Sequence, residues 1–151
     1  MRVLRKLVRF VKIPLRIKLL LPEALWLYAG YHREVLRKTA SEWGRRTGVR
    51  NAETPNVPCD KPQTVAAVRA AVRYASLNLR WKDFPCLNRA LTAKRMLNRR
   101  GLPCTLYMGV RPSPQKPSGM EAHAWLRCGD IAVTGGDGSG YVRTASYADV
   151  E

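Results

Sequence analysis

Acidic side chains are scarce in this chain. Eleven Asp and Glu stand against 27 Lys and Arg in 151 residues, a formal net charge of +16. A field of that sign draws anionic partners, whether nucleic acid, acidic peptide or phospholipid headgroups, and is silent about fold. Metal-ligand spacing is missing too. The four cysteines, Cys59, Cys86, Cys104 and Cys128, include no CxxC pair, which argues against a zinc ribbon. Long apolar runs are absent. The basic and then apolar start is interrupted at Arg9, Lys12, Arg16, Lys18 and Glu23 too often for a spanning helix, and it lacks a small-residue cleavage site. There is no internal repeat and no long low-complexity tract. What remains is one domain with an ordinary apolar share, enough for a core. The setting expected is cytosolic and reduced, with membrane association open.

The front half reads as helical. Residues 1–20 form a basic amphipathic stretch that Pro14 breaks or kinks. A second helix is expected over 22–43, with Pro22 in its first turn and Gly44 and Gly48 ending it. Residues 50–61 form a loop around Pro55 and Pro58. A third helix follows, capped by Asp60, opened by Pro62, and carrying Val65, Val68, Ala71, Val72, Ala75 and Leu79 at helical spacing. A fourth begins near Cys86, runs through Leu97 and stops at Gly101.

The back half changes period. Residues 104–110 read as a strand and 111–119 as a Pro- and Ser-rich loop. Residues 122–127, a Gly129-Asp130 turn and residues 131–134 read as a β-hairpin. The glycines at 135, 136, 138 and 140 then loosen the chain. This run lacks the Lys-Ser/Thr ending and following helix of a phosphate loop. The division expected is an N-terminal helical layer, residues 1–50, packed on a catalytic core, residues 51–151, within one α+β domain.

Two residues carry the chemistry. Cys86 follows Pro85 at a helix start, where unpaired amides and the helix dipole favour thiolate. His123 sits on the first strand of the hairpin. A helix with Cys at its N-terminus, packed on a sheet bearing His, is one way to build a thiolate–imidazolium pair. The remaining thiols read as packing residues (Cys104, Cys128) or as a loop thiol (Cys59). Trp125 shares the strand face of His123, where it shields the ring or fills the core, and His32 is expected to be exposed on its helix. Arg89, along the helix from Cys86, binds a peptide carboxylate or is simply solvated.

The run from Cys86 through Leu-Asn-Arg-Ala-Leu to Gly101-Leu-Pro103, then Leu106-Tyr-Met-Gly-Val-Arg111, then Glu121-Ala-His-Ala-Trp-Leu126 closely resembles one family. It is similar to the transglutaminase-like lasso-peptide maturation proteases, the protease half of a split leader-processing system. The resemblance covers roughly residues 65–147. It implies a papain/transglutaminase-like α+β core in which Cys86 attacks the carbonyl at the leader–core junction and His123 moves the proton. It implies no cofactor and no metal. Its implied partners are the precursor peptide, a separate leader-recognition protein and an asparagine-synthetase-like macrolactam cyclase.

Relatives in that family carry an Asp on the second hairpin strand, opposite the His. By spacing, that position here falls on Gly135 or Gly136. Asp137 is the next acid and the candidate third catalytic residue, while Asp130 in the turn points away. A backbone carbonyl or a water can fix the imidazole tautomer instead. Two other function classes remain open: an acyltransferase on the same fold, and a non-catalytic basic nucleic-acid-binding protein. Against the second, the basic residues are spread over several helices and no nucleic-acid module is present, so nucleic acid is not an expected partner. The basic N-terminal stretch suits an anionic membrane surface, the leader-carrying partner, or simple cover of the core.

Overall fold

The computed structural model describes residues 10–83 and 85–149. Its elements in chain order are α1 (Leu15–Arg37), α2 (Ala40–Thr47), β1 (Val49–Arg50), α3 (Pro62–Leu79), α4 (Pro85–Asn98), β2 (Cys104–Pro112), β3 (Met120–Cys128), β4 (Ile131–Thr134) and β5 (Val142–Ala148). The strands form one antiparallel sheet in the order β1-β5-β2-β3-β4. The architecture is therefore α+β.

Helices α3 and α4 cover one face of this sheet, and α1 packs on them from outside. Leu21, Ala24, Leu27 and Tyr28 of α1 meet Val65, Val68 and Val72 of α3 and Leu91, Met96 and Leu97 of α4, over Leu106 and Leu126 of the sheet. Burial of these side chains, about 25 cal/mol per Å² of apolar surface, is the main force holding the layers together. The other face is covered at one end by the irregular segment before α3. Thr54 N–H donates to Thr105 Oγ1 (2.8 Å), Tyr107 Oη donates to Glu53 (2.7 Å), and Arg127 donates to the Thr54 carbonyl (2.8 Å).

The expected helix over 22–43 is in fact two. α1 begins at Leu15, directly after Pro14, because the apolar stripe continues upstream through Ile17 and Leu20 onto the core. Pro22 thus lies inside the helix, not in its first turn. The chain leaves α1 at Lys38 in extended conformation, and Thr39 opens α2 through a reciprocal capping box with Glu42. Of the basic stretch over 1–20, residues 1–9 lie outside the described residues and 15–20 belong to α1.

α3 starts with Pro62 in its first turn as the sequence suggests, but Lys61 occupies the cap position in place of Asp60. α4 begins at Pro85 and ends at Asn98. Gly101, with φ 71°, turns the chain, and Leu102 N–H bonds back to the Leu97 carbonyl (3.1 Å). Lys94 near the end of α4 is buried and pairs with Asp149 and the Cys104 carbonyl, so α4 is fixed to the sheet at the Cys104–Cys128 level. Its N-terminus, with Cys86, lies toward the sheet's other end.

The hairpin of β3 and β4 matches its expected place. β5 does not: residues 142–148 carried no strand expectation, yet β5 lies between β1 and β2 in the sheet.

Candidate active site

Cys86 is the second residue of α4, in its unpaired first turn, and is half-buried against the core. Pro85 suits this entry because it lacks an N–H that the first turn would leave unsatisfied. The Tyr28 phenol lies beside Cys86. Burial pushes its ionisation up, and the neighbouring Arg89 charge opposes this. Asn88 is 1% exposed, with its amide and the Arg89 guanidinium both facing the Tyr28 phenol, and the Nε of Arg89 has no acceptor of its own. Outside this turn runs an open groove of about 570 Å³. Pro85, Arg89 and Tyr28 line one side, Trp81 and the arginines of α3 another, and Val133, Thr134 and Gly135 close it. Trp81 stacks on Tyr28 (5.7 Å) and on His32 (4.3 Å), so His32 is half-buried and not exposed as its helical position suggested.

His123 lies at the same end of the sheet. Its Nε2 is 2.7 Å from the Gly135 carbonyl oxygen. A carbonyl only accepts, so Nε2 carries a proton, which leaves Nδ1 as the nitrogen able to exchange one. The ring is stacked between Tyr141 (4.7 Å) and Trp125 (6.0 Å), and Trp125 stacks in turn on Tyr107 (5.5 Å). Trp125 is buried in this aromatic row.

Side chains alternate across a strand. Ala124, Leu126 and Cys128 of β3 join the core shared with α4, whereas His123, Trp125 and Arg127 point to the opposite face. Cys86 and His123 therefore occupy one end of the sheet but different faces, and no hydrogen bond joins them. Gly135 connects the two sides: it borders the groove beside Pro85, and its carbonyl holds the imidazole.

Asp137 is not at the imidazole. Its carboxylate accepts the Ser139 N–H (2.9 Å) and hydroxyl (2.6 Å), and these bonds hold it below the usual carboxylate range. The group touching His123 is thus the backbone of Gly135, one of the two positions where relatives' acid falls by spacing. Asp130, as expected, faces elsewhere, accepting the Cys59 N–H (3.1 Å).

A family model described as the transglutaminase-like superfamily matches residues 24–147. The chain belongs to this superfamily. Comparison with curated proteins and with solved structures gave no match.

For a transglutaminase-like domain the class of chemistry suggested is that of a cysteine peptidase or acyltransferase. The match begins inside α1 and ends within β5. The other thiols of this transglutaminase-like chain form a cluster. Cys104 and Cys128 are cross-strand partners, and Cys59 packs beside Cys128, not free in its loop. The hydrogen bond between Cys104 and Cys128 makes Cys128 the readier of the two to ionise, against the effect of burial, and pushes Cys104 up. At 2% exposure Cys128 offers no access to a peptide. No group of His, Cys, Asp and Glu suited to a metal ion exists among the described residues. No described helix is long and apolar enough to cross a membrane. Glu53, which binds Tyr107, Arg127 and Arg143 on the His123 face, was missed from sequence: a single Glu in a loop carries no signal of a three-partner hub.

Proposed function

We propose that the chain is a cysteine peptidase that removes the leader from a lasso-peptide precursor, with Cys86 as nucleophile and His123 as base. One observation carries this: Cys86 follows Pro85 in the first turn of α4, and Pro85 borders one groove with Gly135, the residue whose carbonyl holds the His123 imidazole. His123 takes the Cys86 thiol proton, Sγ attacks the scissile carbonyl, the amine leaves with that proton, and water hydrolyses the thioester to free the acyl fragment as a carboxylic acid and restore the thiol. The Gly135 carbonyl takes the orienting role that Asp137 was expected to have.

Proton transfer requires Nδ1 at hydrogen-bond distance from Sγ, so the end of β3 must present His123 toward α4. A one-residue shift in strand pairing exchanges the two faces. The β2–β3 ladder is unbroken from Cys104–Cys128 to Pro112–Met120, so such a shift has to break it locally at the β3 end, and three features of the neighbouring pairings bear on it. The pairing of β2 with β5 is irregular between Met108 and Gly109, and Gly109 is the partner of His123. The pairing of β3 with β4 is irregular between Leu126 and Arg127. β4 ends at Thr134, opposite Leu126, so β3 has no strand neighbour on that side at His123.

A separate leader-recognition protein delivers the precursor, and an asparagine-synthetase-like cyclase consumes the freed amine. The decisive test is mass spectrometry of the precursor incubated with the chain and the leader-recognition protein. The leader is removed by the native chain, and Cys86→Ala and His123→Ala each slow removal by about 10²-fold or more. An intact precursor, under conditions where the recognition protein binds it, overturns the proposal. Transfer to an added amine, seen as a mass increase of that amine on the acyl fragment, would make the enzyme an acyltransferase through the same thioester.

A further inference from the structure

The groove beside Cys86 is lined by four arginines and by no acid. Arg69, Arg73 and Arg80 come from α3 or its C-terminal cap, and Arg89 from α4. Spacings of four and seven residues place the α3 side chains along one helix face. Arg69 is already used: its guanidinium donates to the carbonyls of Val133 (3.1 Å) and Ala132, tying α3 to the edge strand that forms the opposite wall. Arg73 and Arg80 are exposed and have no carboxylate partner among the described residues. Elsewhere Arg99 and Arg100 pair with Glu23, Arg111 with Glu121, Arg143 with Glu53 and Arg46 with Glu34, while Arg33, Arg37, Arg50 and Arg95 are spread singly, with no ion pair among the described residues. The few acids are thus deployed away from this groove.

Two further observations point to a ligand. Arg89 is half-buried with its guanidinium against the Tyr28 phenol, and its Nε, itself shielded from solvent, has no acceptor. Arg80 adopts left-handed backbone, φ 49° and ψ 29°, at a helix C-cap where glycine is the usual occupant. Backbone strain retained for a particular side chain is a mark of use.

We propose that this groove binds an acidic stretch of the polypeptide substrate, its carboxylates held by Arg73, Arg80 and Arg89. The identification of the ligand as a peptide rests on the proposed acyl chemistry of Cys86; the anion site does not. Guanidinium forks match carboxylates in bidentate geometry. Single-stranded nucleic acid is less favoured, because base binding needs free aromatic faces and those of Tyr28, His32 and Trp81 are spent on one another.

The test measures fluorescence anisotropy of a labelled peptide bearing four consecutive glutamates, titrated with the full chain, against its glutamine twin. The glutamate peptide binds more tightly. The double variant Arg73→Ala/Arg80→Ala weakens it about tenfold or more, while Arg33→Ala/Arg37→Ala, removing the same charge from the outer side of α1, changes it less than about twofold. Arg80→Gly weakens binding yet raises the unfolding midpoint by about 2–4 °C, since glycine adopts this backbone without strain. That combination separates a ligand contact from damage to the fold. Equal losses in both double variants would reduce the effect to the general positive field and overturn the site. A labelled oligouridylate that binds more tightly than the peptide, and depends on the same two arginines, would overturn the peptide assignment. Binding that persists in a chain unable to cleave any precursor sinks the peptidase function and leaves the anion site standing.

Discussion

At the scale of single residues, the imidazole of His123 is held by an atom that no residue type announces. The Gly135 carbonyl is available at any amino acid; only the path of the chain after Thr134 brings it to Nε2. The motif around His123 and the placement of Cys86 at a helix start were legible because each depends on residue identity and local spacing. The third partner was not, and the nearest acid drew the expectation to Asp137. The bonds from Ser139 to that carboxylate are purely local. Asp137→Ala is therefore expected to leave the rate of leader removal within about twofold of native, whereas loss of a true orienting acid would cost orders of magnitude. Initial rates by mass spectrometry decide between these. A hundredfold fall on Asp137→Ala would mean that the loop brings the carboxylate to His123 during turnover.

At the scale of elements, what was legible follows interaction range. α3 and α4 announce themselves through apolar spacing, early prolines and the stop at Gly101. The β3–β4 hairpin does so through the turn at Gly129, where φ is 56°. β5 was illegible because its burial is uneven, exposed over Val142–Thr144 and buried over Ser146–Ala148, and because its partner β2 is more than 30 residues away. The limit of α1 was misread because Pro22 suits a first turn, while the core contacts of Ile17, Leu20 and Leu21 outweigh that preference. Which face of β3 meets α4 is likewise a property of pairing, not of the motif. Catalysis by Cys86 and His123 requires the β3 end to change faces, and disulfide trapping reads this directly. In His123→Cys, mild oxidation in the presence of precursor is expected to give a linked pair of peptides containing positions 86 and 123. Such a bond needs Cα atoms within about 7 Å. Absence of the link, with the variant folded and precursor bound, would mean that His123 never reaches the thiol.

For the whole molecule, the scarcity of acids that leaves the groove open also concentrates stability in a few carboxylates. Glu23 joins α1 to the turn after α4 through Arg99 (3.1 Å) and Arg100 (2.6 Å); burial alone would raise its ionisation, but the two arginines outweigh it and the group is held low. Glu53 is held low first by the Tyr107 hydroxyl and then by Arg143, against the effect of burial, and it joins the segment before α3 to the sheet. A carboxylate held low in the native state binds fewer protons there than in the unfolded chain. Its contribution is complete above the ordinary glutamate value near 4.5 and is lost as pH falls through the lowered native value. Protonation of the 11 acids also removes the negative charge that offsets 27 Lys and Arg, so self-repulsion rises in the same interval. Acid unfolding is therefore expected below about pH 4.5 and is eased by salt, which screens the repulsion. Glu23→Gln is expected to cost about 1 kcal/mol at neutral pH, a charge-assisted contact weakened by the exposure of both arginines, and to flatten the dependence between neutral and acid conditions. Urea denaturation across that range measures both effects. An unchanged slope in Glu23→Gln would show that the α1–α4 contact rests on apolar packing alone, and that the arginines of the turn after α4 are as free to meet an incoming anion as those lining the groove.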